Sequence, residues 1–457
     1  MNPQTLETNG VETLISTNVS FKIDPQNVQN ELKKYMLVDG FDITIDLDKS
    51  RGSFLYDSKH KRELLDFFTF VASNPLGMNH PSINNEQFIN EIGKIAVNKP
   101  SLSDIYTEIQ AEFVETFFKI AVPSYFKYSF FIEGGAMAVE NALKAAFDWK
   151  VRKNFAKGYN EEKGHQIIHF RQAFHGRSGY TMSLTNTDPN KILYYPKFNW
   201  PRVLNPKVTF PLNEANLKSV IDAENESLKQ IKDAITANKD DIAAIILEPI
   251  QGEGGDNHFR KEFFQQLRQI CDESEIMLIF DEVQTGIALT GKWWAHQHYV
   301  QPDLISFGKK TQVCGVLSTG RIDDIEENVF RKPSRINSTW GGNMVDMKRF
   351  KKILEIINEE NLVRNCEING VYLQTKLKEL SEKFPDKVSN TRGLGLFCAM
   401  DISSAELRNK LTAKALENNL MILGSGELSV RFRPPINISK SEIDMGMDIL
   451  DKVISSI

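Results

Sequence analysis

Two stretches of the chain carry residues whose types and spacing suit chemistry. In the first, Leu278-Ile-Phe-Asp-Glu-Val-Gln-Thr-Gly286, an apolar run from Ile276 to Phe280 delivers Asp281 at its end. In the second, a short run ends at Gly308 with Lys309 and Lys310 directly behind it. Both runs read as buried strands. An acid and a lysine at two strand ends, each beside a glycine turn, suit a ligand gripped at a ring nitrogen and at an aldehyde carbon. Pyridoxal phosphate (PLP) demands that pairing: a carboxylate on the pyridinium nitrogen and a lysine in Schiff-base linkage. The bland alternative for Asp281 is a helix N-cap. Lys309 and Lys310 point to opposite sides of an extended segment. Only one can face the site, residue chemistry alone does not choose between them, and the other is expected in solvent.

Three further stretches fit an anionic, flat ligand, though each has an ordinary structural explanation. Glu133-Gly-Gly-Ala136 joins a strand to a helix start, where the bare backbone and helix N-terminus favour a phosphate. Phe174-His-Gly-Arg177 offers a ring for stacking and a guanidinium for a carboxylate. Leu247-Glu-Pro-Ile-Gln-Gly-Glu-Gly-Gly255 puts acids at a strand's C-terminal edge, where open α/β sheets bind ligands. The Asp281-Glu282 pair also imitates the acidic end of a nucleotide-hydrolysing strand, but the chain has no G-x-x-x-x-G-K-[ST] phosphate loop.

These segments need a scaffold, and the patterning supplies one. Helix-like Pro25 to Met36 precedes three strands, Asp42 to Asp48, Gly52 to Tyr56 and Lys61 to Phe70, which read as a small antiparallel sheet. From about residue 105 long helices alternate with short apolar strands. Those strands are Tyr128 to Ile132, His165 to Phe170, Lys207 to Phe210, Ala243 to Leu247, Ile276 to Phe280 and Leu304 to Phe307. This alternation predicts an α/β fold with a mostly parallel sheet covered on both faces. Beyond Pro333, a helical stretch from Met344 to Leu380, strand pieces within Val388 to Asp401 and at Ser429 to Phe432, and helices at Ala405 to Asn418 and from Ser439 predict a small α+β unit. The expected division is a segment 1–75, a large domain 76–335, and a C-terminal part 336–457 that forms the small domain together with the first segment.

At 457 residues the chain can bury a large core. A net charge of −5 gives no support for a nucleic-acid surface, and the basic run Lys59-His-Lys-Arg62 reads as a solvated face. Four dispersed cysteines without metal-ligand spacing read as reduced thiols of a cytoplasmic protein, and no metal site is expected. The first seventeen residues lack a basic, apolar signal pattern, a polar arm is expected over residues 1 to about 20, and no window is long and apolar enough for a membrane span.

Taken in order, Gly-Gly-Ala, Phe-His-Gly-Arg, Glu-Pro-Ile-Gln-Gly-Glu-Gly-Gly, Asp-Glu-Val-Gln-Thr-Gly, Gly-Lys and Arg392-Gly-Leu-Gly-Leu396 resemble the class III (ω-) aminotransferases. The resemblance runs from about Gly52 to the C-terminus. It implies PLP as cofactor, the fold type I architecture, and a homodimer with shared active sites. Phe174 to Thr187, Gly308 to Gly315 and Asn337 to Asn343 look like the branch acting on the ε-amine of L-lysine with 2-oxoglutarate as acceptor. The branches for ornithine and 4-aminobutyrate match less well, though another ω-amine donor is the alternative reading.

Residue by residue, the resemblance implies that Lys309 is the Schiff-base lysine and Asp281 the partner of the ring nitrogen. Phe174 and Val283 lie on opposite ring faces, Gln284 near the phenolic oxygen, and Gly135 and Ala136 at the phosphate. Thr339 matches a threonine reaching the phosphate from the partner subunit. Arg177 is expected to bind the lysine α-carboxylate and Arg431 that of 2-oxoglutarate, with Glu253 masking Arg431 while lysine is bound. The chain departs from the family pattern at Gly134, Met137 and Asn79-His80, and is one residue short around His298 to Gln301.

Overall fold

The computed structural model describes residues 22–98 and 104–457. The expected N-terminal arm lies outside the described residues. The first strands are β1 (Ile45–Arg51), β2 (Phe54–Asp57) and β3 (Arg62–Asp66), an antiparallel meander behind a short helix, Val28–Lys33. The third strand stops four residues earlier than expected. Asp66 ends it, its carboxylate accepting from Phe68 N and Thr69 N at 2.8 and 2.7 Å. Thr69, Phe70, Val71 and Ala72 then all adopt positive φ, a left-handed turn that residues other than glycine rarely sustain. The basic run beside this sheet is solvated in part: His60 and Lys61 are exposed, whereas Lys59 and Arg62 are half-buried. His60 and Arg62 bond the buried Asp57 carboxylate at 2.6 and 3.3 Å, and Lys59 pairs with Asp42 and Gln29.

The large sheet contains β4 (Phe126–Ile132), β5 (Gln166–Phe170), β6 (Arg202–Val203), β7 (Ile242–Leu247), β8 (Met277–Asp281), β9 (Leu304–Phe307) and β10 (Cys314–Thr319). Its order is β4-β10-β9-β8-β7-β5-β6, parallel except for β10, which runs antiparallel to both neighbours. Every residue of β7, β8 and β9 is buried, as central strands covered on both faces require. The covering helices include Gly135–Ala156 and Lys261–Glu273. Lys207 to Phe210 is not a strand. Its N–H groups do not join a ladder: Val208 N donates to the His258 carbonyl and Phe210 N to the Asn390 side-chain Oδ1, and the sheet edge is β6 instead.

The C-terminal part adds β11 (Val388–Leu394), β12 (Phe397–Ile402), β13 (Leu420–Met421), β14 (Leu423–Ser425) and β15 (Ser429–Phe432). Four of them form the antiparallel sheet β11-β12-β15-β14. β13 leaves that group and pairs in parallel with β3, tying the two ends of the chain together. The long helix expected over Met344 to Leu380 is two, Met344–Glu359 and Leu362–Lys383, broken where Asn361 turns left-handed.

Candidate active site

The parallel strands end on one edge of the large sheet, and β8 and β9 bring Asp281 and Lys309 to it. Asp281 is buried; its Oδ2 accepts from His175 Nδ1 at 2.8 Å and its Oδ1 from Val283 N at 3.1 Å. The next residue, Glu282, turns away from the site. It is held by Thr285, the Ala295 and His296 N–H groups and the His296 ring, which gives the second acid of the pair a structural role.

A cavity of about 320 Å³ opens between these strand ends. Asp281, Val283, Gln284 and Lys309 line it together with Gly135, Ala136, Phe174 and Arg177. The helix Gly135–Ala156 starts there after Gly134, whose φ of 96° suits glycine alone. A Cβ on Gly135 would stand 2.9 Å from Val283 Cγ1, so the bare backbone is what lets helix start and valine close on one another. The helix N-terminus thus borders the cavity, and the first-turn N–H groups, which have no intrahelical acceptor, are a ready seat for a phosphate.

Lys309 Nζ is pushed down to about 8, first by burial and then by the Arg431 and Arg433 charges, which makes the neutral, nucleophilic amine accessible near neutral pH. Lys310 is the correction to the expectation of a solvated neighbour. It is fully buried, donates to the Gln284 carbonyl at 2.6 Å, and burial followed by the Lys309 charge holds its amine well below the lysine range. The segment after Gly308 is not extended: Lys309–Thr311 form a short 3-10 turn, with Lys309 at φ 56°, so both side chains enter the protein.

Glu253 and Arg431 meet at 2.9 Å, joining the glycine-rich loop after β7 to β15. Burial pushes the Glu253 carboxyl up, but Arg431 and Lys191 outweigh it and hold the group below its ordinary value. Arg433, two residues on, donates from Nη2 to both carboxylate oxygens of the buried Asp256, at 2.7 and 2.8 Å, and reaches Gln284 Oε1 at 3.2 Å. Arg392, from the Arg-Gly motif, donates to the Gly255 and Asp256 carbonyls and fixes the same loop. Thr339 is exposed and does not line this cavity.

Two titratable cavity residues, His175 and Glu248, carried no assignment from sequence. His175 orients the Asp281 carboxylate, and its place inside Phe174-His-Gly-Arg177 was the available signal. Glu248 accepts from Phe174 N and Gly252 N, both at 3.0 Å, stitching the aromatic loop to the glycine-rich one. Burial pushes its carboxyl up to about 7. The Glu-Pro motif marks it, but a strand-end acid has no distinguishing pattern.

The donor set fits PLP: a carboxylate for a ring nitrogen, a lysine of lowered basicity for an aldehyde, and an open helix start for a phosphate, all on one cavity. An α/β sheet carrying this arrangement defines a PLP-dependent enzyme of fold type I. The profile of the family "Aminotransferase class-III" matches residues 35–454, and the chain belongs to the class III aminotransferases.

The L-lysine-epsilon aminotransferase of Mycobacterium tuberculosis is 49% identical over 422 residues, which cover 92% of this chain and 93% of that protein. The L-lysine-epsilon aminotransferase of Amycolatopsis lactamdurans is 44% identical over 442 residues, covering 95% and 96%. Among solved structures, a lysine aminotransferase from M. tuberculosis in the internal aldimine form superposes with a TM-score of 0.93 at 47% identity, covering 95% of this chain and 100% of that one.

Proposed function

We propose that the protein transfers the ε-amino group of L-lysine to 2-oxoglutarate, giving 2-aminoadipate 6-semialdehyde and L-glutamate in two half-reactions. The names of the relatives at 44–49% identity over most of the chain support lysine as donor. The observation that carries the rest is the Glu253–Arg431 pair, whose two charges both act on Lys309.

Bound PLP supplies an electron sink for the pair left on the substrate carbon when its proton is removed. The chain's residues do the remainder. Asp281, oriented by His175, would keep the ring nitrogen protonated. Phe174 and Val283 would flank the ring, Gln284 would serve its phenolic oxygen, and the Gly135 and Ala136 N–H groups would hold the phosphate, all five lining the cavity. Lys309, the cavity amine of lowered basicity, would be the residue that holds the aldehyde end, and its neutral amine is the base that would take the proton from the substrate carbon.

Substrate choice is an electrostatic problem, because lysine reacts at its far amine and glutamate at its α-amine. Arg177 binds the lysine α-carboxylate at the cavity mouth. Glu253 neutralises Arg431 meanwhile, so that Arg431 does not draw that carboxylate to the wrong end. The dicarboxylate opens the pair and takes Arg431.

In this reading the enzyme is a cytoplasmic homodimer of lysine catabolism. The exposed Thr339 serves the partner's phosphate site, and four buried, unpaired cysteines suit a reducing compartment. No helix among the described residues is long and apolar enough to cross a membrane. The reading keeps residues 76–335 as the large domain, with 1–75 and 336–457 forming the small one, as the β3–β13 pairing favours. A panel of amino donors with 2-oxoglutarate, read as glutamate formed, tests it. Lysine is expected to exceed ornithine and 4-aminobutyrate in kcat/KM by at least about tenfold; a preference for either of those overturns the assignment.

A further inference from the structure

Glu253 holds two cations at once. Its Oε2 accepts from Arg431 Nη2 at 2.9 Å and its Oε1 from Lys191 Nζ at 2.7 Å. Lys191 ends the 3-10 turn Pro189–Lys191, which is opened by the Asp188 side chain accepting from Asn190 N. The turn aims the ammonium over the Phe174 ring, 5.3 Å from its centroid, with Thr187 Oγ1 at 3.4 Å. A ring face and a carboxylate therefore fix this cation together.

The two cations differ. The Arg431 side chain is buried at 4% exposure, and its Nη1 has no hydrogen-bond partner among the described residues. It thus has a donor to spare for a second carboxylate. Lys191, at 23%, sits at the rim on a surface turn. When a dicarboxylate takes Arg431, Glu253 has to leave it. A carboxylate left without a partner in so confined a place is costly. The geometry provides a way round that cost: Glu253 keeps its Oε1 contact with Lys191 and swings only Oε2 away.

We propose that Lys191 is a positioning residue that retains Glu253 when Arg431 opens, and thereby sets the balance between the two substrates. The inference rests on the Glu253–Arg431 reading given above. Lys191 acts through Glu253 and not on the cofactor. Removing its charge leaves the closed pair in place and makes opening harder, so the loss falls on the dicarboxylate half-reaction.

The test uses the holoenzyme and kcat/KM for each substrate, which in a two-half-reaction enzyme reports each half separately. Lys191→Met is expected to lower kcat/KM for 2-oxoglutarate by about five- to tenfold, the scale of one charge-assisted contact, while lysine stays within about twofold. Lys191→Arg should restore the wild-type value. In a Glu253→Gln background the Lys191→Met loss should vanish, because the two act as one unit. Equal losses in both half-reactions, or no loss, overturn the proposal. So does a 2-oxoglutarate loss that persists in Glu253→Gln, which would mean that Lys191 binds the dicarboxylate itself. Glu253→Gln alone separates the two levels. If it impairs lysine selectively while Lys191→Met changes nothing, the switch stands and Lys191 has no part in it. If it impairs both halves equally, the switch reading falls and the Lys191 proposal with it.

Discussion

Asp281→Asn isolates charge from shape. The amide matches the carboxylate in size, its Oδ1 can still accept from Val283 N, and its Nδ2 can face His175 in the other ring tautomer. The helix and loop packing around the cavity should therefore survive, with Tm within about 3 °C of the parent. What is lost is the negative charge that holds a proton on the cofactor nitrogen. Asp281 is only 5% exposed, so solvent does little to replace that charge. Breaking a buried charge pair costs about 3–5 kcal/mol. At about 1.4 kcal/mol per tenfold, kcat for lysine should fall between about a hundredfold and a few thousandfold. The assay is single-turnover consumption of the cofactor absorbance by lysine, with thermal melts alongside. A loss under about tenfold, or a Tm drop that matches the activity loss, would mean that Asp281 serves the fold as a cap and not the chemistry.

Lys309→Met should abolish the absorbance of the lysine-bound cofactor, whereas Lys310→Met should keep it; the opposite result reverses the assignment of the two lysines. Lys310→Met also leaves the Gln284 carbonyl without its donor, a cost of about 1–3 kcal/mol that should lower Tm by a few degrees in melts. For apoenzyme, capture of PLP requires the neutral Lys309 amine. Because that amine is lowered to about 8, the capture rate should climb as pH rises toward that value and level above it. A lysine at the ordinary 10.5 would still be climbing two units later, and stopped-flow absorbance across pH distinguishes the two.

Much of the site could be read because its residues sit at strand ends within short, unusual peptides. Asp281 follows a run of five buried apolar residues, and Gly308-Lys309 ends another, so periodicity and glycine both mark them. Lys310 was misread because the chain after Gly308 coils into a turn: alternation of side chains holds only for extended backbone, and Lys309 has positive φ. Lys207 to Phe210 was misread as a strand because apolar residues between two prolines mimic one, while the actual ladder partner, Arg202–Val203, is too short to show a period. β10 went unassigned beside it: Cys314–Thr319 contains a glycine, a serine and a threonine, and only its place between β4 and β9 makes it a strand. The left-handed turn at Thr69–Ala72 has no sequence signature, since β-branched and aromatic residues ordinarily extend; buried Asp66 and its two backbone bonds enforce it. Lys191 was invisible for a different reason. Its partner lies 62 positions away and only the folded loops bring the two together.

The central claim is that nitrogen leaves the far end of lysine. Lysine carrying heavy nitrogen at the ε position, or separately at the α position, can be incubated with the holoenzyme and 2-oxoglutarate, and the glutamate analysed by mass spectrometry. Label from the ε position should appear in glutamate and label from the α position should not. Glutamate labelled from the α position, or no labelled glutamate from either, would contradict the account.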